Sequence, residues 1–442
     1  MDFLMKKYIV LVVFVITLVG CHSETFEDSS KQSDGFLPDL SSKAAFFSYN
    51  LENRQTHHRG VMVSNRITVK DLSYLVNEWH VNIIRFPIGT KAGVDINSKN
   101  FDDILEQDIQ HLDSLLPFCQ EYGIYVVLDL HNLSKGIFES SKAAKKLVST
   151  WEMLAEKYWS SAMVIGYDIA NEPYLPDIES DKWQTIAEET AKAIRNIDPY
   201  TAIIIQPHNS ADDPEGLKYF EPIEVANVVY SIHVYVPYEF THQFVSPETN
   251  TAYEYPGECA GYYWDKDLLR KALAPAYDFQ EKYKVPIYVG EFSAVRFAPK
   301  GSAYRYLADS IEIFEEFGWD WTYHAFREAS CWSVEHNEAL EYQEDTEFVD
   351  YETDREALLK SWFIKNKTSN SGSQTEFYSG NHCLLPNTHM SIGKTLRLTQ
   401  AVRVKINPKH REGGETPEIW DGSFACEIPG YICGLLTCEI LT

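Results

Sequence analysis

Two glutamates stand where apolar segments of the chain give way to polar residues. Glu172 follows the run MVIGYDIA within the tripeptide Asn171-Glu172-Pro173, and Glu291 lies at the end of the run VPIYVGEF. The end of a buried strand gains nothing in packing from a carboxylate. Two carboxyl groups in one cleft can divide acid and nucleophile roles, one protonating a leaving oxygen while the other attacks carbon or activates water. That is the chemistry of glycosidic bond cleavage.

Other polar side chains stand at the ends of neighbouring apolar segments. Donors such as an arginine or a tyrosine could keep one of the two carboxylates ionised, while a less polar surrounding keeps the other protonated. Simpler interpretations stay open at this stage: Arg85 could form a structural ion pair with Asp129, and His131 could be a core histidine. Asn-Glu-Pro by itself is also a turn pattern. The candidate residues at segment ends are Arg85, His131, Asn171, His233 and Tyr235.

The segments that must position these side chains follow a repeating pattern. Short β-prone runs alternate with stretches of helical periodicity from about residue 45 to 367, and the runs are almost continuously apolar, as in strands buried on both faces. We predict eight strands and a (β/α)8 TIM barrel, in which strand ends converge at one rim. A doubly wound sheet would require an early phosphate-binding glycine loop, which the sequence lacks. The predicted strands are 45–51, 81–88, 123–130, 163–170, 201–207, 226–234, 285–292 and 320–326.

The whole set of strand-end residues resembles glycoside hydrolase family 5, the cellulase family. The resemblance covers about residues 45 to 367 and rests on Arg85, His131, Asn171-Glu172-Pro173, His233-x-Tyr235 and Glu291. It implies that Glu172 is the acid/base and Glu291 the nucleophile of a retaining enzyme. It also implies that Asn171 binds the sugar 2-hydroxyl and Tyr235 orients the nucleophile. The positions that would orient and polarise the two carboxylates are Arg85, His131 and His233.

The eighth strand departs from the family pattern, which usually presents a tryptophan as a sugar platform. This strand offers Trp321, with Trp332 in the loop behind it. We expect one of the two to stack against substrate, and the sequence does not separate them.

The resemblance implies an endo-acting β-1,4-glucanase that needs no cofactor. Mannan, xyloglucan and mixed-linkage glucan are alternatives, which the loops 133–141, 235–264 and 327–352 would decide. A hypothesis from another class is a non-catalytic surface glycan-binding lipoprotein with a decayed barrel, which should have lost a carboxylate or Asn171. A metal site of His131, His233, His324 and Glu291 is a poorer interpretation, because an arginine points into the same place.

Composition favours a neutral or cationic partner. The 442 residues carry a formal net charge of -26 with a pI near 4.9, which opposes binding to nucleic acid. We expect a monomer that acts on a polysaccharide or oligosaccharide.

The amino terminus has the pattern of an export signal. Two lysines precede a short apolar run, and Leu18-Val19-Gly20-Cys21 resembles a bacterial lipobox, which predicts lipid attachment to Cys21. The protein would then sit at the outer membrane or cell surface and touch a membrane only through this anchor; a plain secretory peptide is the alternative. The predicted organisation is a signal peptide 1–20, a tether 21–40, the barrel 41–367 and an extension 368–442, for which we expect poor order. Pairing of Cys259 with Cys331 is left open.

Overall fold

The computed structural model describes most of the predicted barrel region. The described residues are 43, 46–48, 57–131, 136–173, 180–208, 214–246, 249–339 and 348–366, together with the two strands 402–406 and 436–440. Cys21 and the predicted leader lie outside them.

Eight parallel strands form a closed barrel, which confirms the predicted (β/α)8 architecture. Around the barrel the order is β1, β2, β3, β4, β5, β6, β9, β10 and back to β1. Two short strands, β7 and β8, form an antiparallel pair inside the long insertion after β6. The strands are β1 Arg59–Val63, β2 Ile83–Ile88, β3 Tyr125–Leu130, β4 Val164–Asp168, β5 Ala202–Ile205, β6 Val228–Val234, β7 Gly257–Cys259, β8 Tyr262–Trp264, β9 Ile287–Phe292 and β10 Asp320–Phe326.

Helices connect the strands and cover the barrel. The helix α2 (Phe101–Tyr122), for example, buries Leu105, Ile109, Leu112 and Cys119 and is capped by Gly123, whose φ of 71° suits glycine. The helix α1 continues into a π-helical turn, Leu75–Trp79. The helices are α1 Val69–Tyr74, α2 Phe101–Tyr122, α3 Ser141–Tyr158, α4 Ser180–Ile197, α5 Tyr238–Thr241, α6 Lys266–Tyr283, α7 Ser302–Phe317 and α8 Asp354–Phe363.

The first predicted strand, 45–51, is wrong where the structure describes it. Residues 46–48 form a bend, and the first barrel strand is Arg59–Val63. Phe47 is buried with Ile83, Val127 and other interior residues of the barrel, so this side chain fills the core without belonging to a strand. Hydrophobicity alone does not distinguish the two roles, because both bury apolar area.

Beyond residue 366 the described residues are two strands, β11 Val402–Ile406 and β12 Leu436–Ile440, which pair antiparallel. In the part of the chain that the structure describes, no helix has both the length and the apolar character needed to cross a membrane.

Candidate active site

The carboxyl ends of five barrel strands bring the predicted polar residues together. Arg85 lies within β2 and His131 directly after β3. Asn171 and Glu172 follow β4 by a few residues, and His233 and Glu291 lie within β6 and β9. Hydrogen bonds and ion pairs join these side chains, in the case of His131 through Asp129, so the convergence predicted from the strand ends is observed.

Arg85 is the centre of this network. Its side chain is fully buried, and Nη1 donates to Glu291 Oε1 at 2.6 Å while Nη2 donates to Asn171 Oδ1 at 2.9 Å. The guanidinium also pairs with Asp129 at 2.9 Å and with Asp168 at 2.9 Å. The ion pair with Asp129 that the sequence left open is therefore present, and the same arginine also reaches Glu291. A planar fork of five donors allows one side chain to hold all four partners.

Glu291 is held as an ionised carboxylate. Arg85 binds Oε1, and the Tyr235 hydroxyl donates to Oε2 at 2.8 Å. Burial alone would raise the pKa of Glu291, but the positive charges of His233, His324 and Arg85 outweigh it and hold this pKa well below its usual range. A deprotonated carboxylate with fixed oxygens is what a nucleophile requires.

Glu172 has a different environment, and this difference could separate the roles of the two carboxyls. Its side chain is 31% exposed, against 6% for Glu291. Its backbone has a φ of 45°, in the left-handed region that non-glycine residues rarely adopt. The backbone N–H donates to Gln206 Oε1 at 2.9 Å, which supports this conformation. Glu172 is thus the more exposed of the two carboxyl groups.

His233 lies between the two glutamates. Its Nδ1 is 2.7 Å from Glu172 Oε1 and 3.7 Å from Glu291 Oε2. One oxygen of Glu172, one ring nitrogen of His233 and one oxygen of Glu291 all lie within 4.8 Å of one another. Such a set has the atom types of a metal site, but both oxygens of Glu291 already accept hydrogen bonds and a guanidinium lies 2.6 Å away. This arrangement suits a reacting carboxylate better than a metal ligand.

A glycine makes room for this histidine. A side chain at Gly290 would place its Cβ 3.0 Å from His233 Nε2 and 2.8 Å from Ser231 Oγ. The absence of a side chain at Gly290 therefore allows the His233 ring to lie against β9, next to Glu291.

His131 is tied to the network through its aspartate. Nδ1 of His131 is 2.6 Å from Asp129 Oδ2, and the side chain is 17% exposed. Burial lowers the pKa of His131, but the charge of Asp129 and its hydrogen bond raise this pKa to about 9 overall. His131 is thus a charged member of the site and not an isolated core histidine.

The prediction that Trp321 could serve as the sugar platform is wrong. Trp321 is fully buried between Phe292 and Phe363, and its indole N–H donates to Glu315 on α7 at 2.9 Å. Side chains alternate along a strand, and this position faces the helices. Trp332, in contrast, has its ring 6.0 Å from that of Tyr235, the residue that donates to Glu291.

The structure adds two residues to this network that the sequence analysis did not single out. Asp168 pairs with Arg85, and Gln206 links it to the Glu172 backbone through hydrogen bonds of 3.1 Å from Nε2. The sequence contains a signal for each of them: Asp168 is a charged residue inside an apolar run, and Gln206 lies near the end of the fifth predicted strand. Burial and the negative charge of Asp129 raise the pKa of Asp168, the positive charge of Arg85 lowers it, and the net result is a pKa of about 6.

Cys259 and Cys331 are both buried free thiols, so the pairing left open by the sequence is not present.

An eight-stranded barrel that presents two adjacent carboxyl groups at the carboxyl ends of β4 and β9, within a network of buried donors, fits the glycosidase class of enzymes. Comparison with known proteins narrows this class. The chain belongs to the cellulase family, glycosyl hydrolase family 5, which matches residues 41–330.

Individual relatives agree with the family. Endoglucanase C of Acetivibrio thermocellus is 31% identical over 260 residues, which cover 51% of this chain and 75% of that protein. Cellodextrinase A of Ruminococcus flavefaciens is 23% identical over 273 residues, 58% of this chain and 77% of that one. Among solved structures, Cel5A of Thermotoga maritima in complex with cellobiose superimposes with a TM-score of 0.56 at 22% identity, covering 73% of this chain and all of that one (100%).

Proposed function

We propose that this glycosidase is an endo-acting enzyme that cleaves β-1,4-glucan by double displacement with retention of anomeric configuration. The observation that carries the mechanism is the spacing of the two carboxyls. An oxygen of Glu172 lies within 4.8 Å of an oxygen of Glu291. Retaining enzymes hold their carboxyls ~5–5.5 Å apart, whereas inverting enzymes need ~6.5–9.5 Å to admit a water.

In the first step the ionised Glu291 attacks the anomeric carbon and the glycosidic bond breaks. Glu172 gives its proton to the departing oxygen, and a glycosyl ester on Glu291 results. In the second step Glu172 takes a proton from water, the hydroxide oxygen bonds to the anomeric carbon, and Glu291 leaves as a carboxylate. The two glutamates therefore return to their starting protonation states.

The supporting residues have roles that follow from their contacts. Tyr235 and Arg85 hold the two oxygens of Glu291, so the carboxylate is oriented before substrate arrives. Asn171, fixed by Arg85, is proposed to bind the sugar 2-hydroxyl. His131 adds positive charge beside the carboxylates, His233 contacts Glu172 Oε1 through Nδ1, and Trp332 is proposed as the sugar platform.

The substrate proposal rests on the relative named as an endoglucanase and on family membership. The test is release of reducing ends from carboxymethyl-cellulose, mixed-linkage β-glucan, xyloglucan and glucomannan by the full exported chain. Glu291→Ala should abolish release, and Glu338→Ala, an exposed carboxylate of the loop after β10, is the matched control. Greatest activity on glucomannan, xyloglucan or mixed-linkage β-glucan would overturn the assignment to unsubstituted β-1,4-glucan but keep the mechanism.

The same assay separates an enzyme from a binding protein. Glu172→Gln should keep oligosaccharide binding and lose turnover. A wild-type chain that binds glycans but releases no reducing ends would support the non-catalytic hypothesis. Proton NMR of the first product should show the β-anomer, and initial release of the α-anomer would refute retention.

We also propose that the chain is exported and anchored through a lipid on Cys21. The support is the charged start, the short apolar run and the lipobox-like tetrad of the sequence. Labelled fatty acid should be incorporated into the wild type and not into Cys21→Ser, and the variant should appear in the soluble fraction. Incorporation into both would refute the anchor.

A further inference from the structure

The last barrel strand brings a third acidic residue to the cleft. His324, within β10, has its Nε2 2.9 Å from Glu328 Oε2 and 4.0 Å from Glu291 Oε2. Both distances are measured from Nε2 of His324. The Oε2 atoms of Glu328 and Glu291 can therefore be no farther apart than the sum of the two distances. That span is comparable with one sugar ring, and Glu328 is therefore within reach of the sugar that Glu291 attacks.

Glu328 is exposed to solvent, while its partner His324 is mostly buried. Its side chain is 36% exposed, and that of His324 is 12% exposed. The His324 ring packs edge-on against Tyr235 and Trp332, with ring centroids 6.2 and 5.6 Å apart. The histidine thus stands in the wall of the site, and the glutamate extends from it toward solvent.

The backbone that carries Glu328 is fixed on both sides. Before it, Arg327 donates to Asp71 at 2.6 Å and to both oxygens of Glu335 at 2.8 and 2.7 Å. After it, the carbonyl of Cys331 accepts from the backbone of Arg296 at 2.9 Å. A carboxylate on a fixed segment needs little ordering when a ligand binds, so its hydrogen bonds contribute more fully to affinity.

We infer that Glu328, oriented by His324, is a substrate-binding residue whose carboxylate accepts hydrogen bonds from hydroxyl groups of the sugar held over Glu291. This inference rests on the proposed function and adds a recognition group to the same site. A carboxylate has about four acceptor positions, more than one imidazole N–H can occupy. Vicinal sugar hydroxyls can donate to both of its oxygens.

The local charges keep this acceptor ionised. Burial alone would raise the pKa of Glu328, but the charge of His324 and its hydrogen bond outweigh it and lower this pKa. Hydrogen bonds to a charged group are about twice as strong as neutral ones. A site that hydrogen-bonds a hydroxyl in this way rejects a sugar that lacks the hydroxyl far more strongly than an aromatic platform could.

The experiment measures binding and turnover separately. Cellotetraose and a series of its derivatives lacking one hydroxyl are titrated calorimetrically into Glu172→Gln, which blocks hydrolysis, with and without Glu328→Ala. We expect Glu328→Ala to weaken cellotetraose binding ~10- to 100-fold, the loss expected for a charged hydrogen bond. At least one derivative should bind equally well with and without Glu328→Ala, because the hydroxyl that this derivative lacks is the one that donates to Glu328.

The controls use the same loop and the same site. Glu338→Ala removes an exposed carboxylate nearby and should leave affinity unchanged within twofold. His324→Gln, which keeps a donor, should weaken binding less than Glu328→Ala, and urea unfolding shows whether each variant is folded.

Two outcomes would overturn the inference: unchanged affinity in Glu328→Ala, or an equal loss for every derivative. Absence of any oligosaccharide binding would overturn it as well. The proposed function fails on a different result, namely absence of reducing-end release by the wild type, which the binding titrations do not require.

Discussion

Replacing Arg85 tests whether one buried cation both stabilises the barrel and sets the ionisation of Glu291. In Arg85→Met the side chain keeps much of its volume but loses all its donors. Asp129, Asp168 and Glu291 then share a buried site without their common partner. Burial of uncompensated charge is costly, and the charge removed is one of those that lower the pKa of Glu291.

The size of the effect follows from the burial. The Arg85 side chain and both aspartates have no exposed surface. Removing one partner of a buried ion pair costs about 3–5 kcal/mol, a large part of the ~5–15 kcal/mol that a domain has. The loss should be greatest at pH 7 and smaller at pH 5. Groups whose folded-state pKa is raised take up protons as the pH falls, so the folded form of the variant gains stability relative to its unfolded form.

The activity should change in a linked way. In the wild type Glu291 has a depressed pKa and stays ionised well into the acid range. Without the guanidinium this pKa rises, so the acid limb of the kcat/KM profile should move to higher pH. We expect kcat/KM to fall ~100-fold or more, because the carboxylate also loses the donor that fixes Oε1.

The assays are urea unfolding at pH 5 and 7 and the kcat/KM profile on a soluble β-glucan. Arg59→Met is the matched control, because Arg59 is buried at the start of β1 and pairs through Nε and Nη2 with both oxygens of Glu315 at 2.6 Å. It should lose comparable stability and keep the wild-type acid limb. If Arg85→Met does not fold, Arg85→Lys, which keeps a positive charge, replaces it in the assays. An unmoved acid limb in folded Arg85 variants would refute the reasoning.

Three further predictions concern other parts of the site. Gly290→Ala should lower the free energy of unfolding by about 1–3 kcal/mol and kcat at least tenfold, because the added Cβ would meet His233 Nε2 at 3.0 Å; urea unfolding and kinetics test this. Wild-type stability should fall as the pH rises from about 6.5 through about 9, because the raised pKa of His131 stabilises the fold only while the ring is charged, and His131→Gln should flatten this dependence. Trp332→Ala should raise KM for cello-oligosaccharides, whereas Trp321→Ala should cost ~3–5 kcal/mol of stability because the ring lies in the core.

Each of these has a result that contradicts it. Wild-type kinetics in the glycine variant would mean that the histidine ring is not confined by β9. An identical alkaline loss with and without His131 would place the titrating group elsewhere. A KM effect confined to the Trp321 variant would reverse the assignment of the two indoles.

Much of the fold followed from the order of apolar runs. Seven of the eight barrel strands coincide with predicted runs, because a strand buried on both faces must be almost continuously apolar. The exception is instructive. Residues 45–51 have the same hydrophobicity, yet Phe47 fills the barrel interior and the short run Arg59–Val63 forms the strand. Pairing is decided by which segment can reach its neighbours, and composition carries no such information.

The candidate site divides in the same way. Each polar residue at a strand end was recognisable by itself, and parallel strands in a barrel force their carboxyl ends to one rim, so the sequence determined which side chains meet. It did not determine that Arg85 holds Asp129, Asp168 and Glu291 at once, or that Trp321 faces the helices. Hydrogen-bond partners depend on distances of a few tenths of an ångström, and facing depends on strand register. Both are set only when the barrel closes.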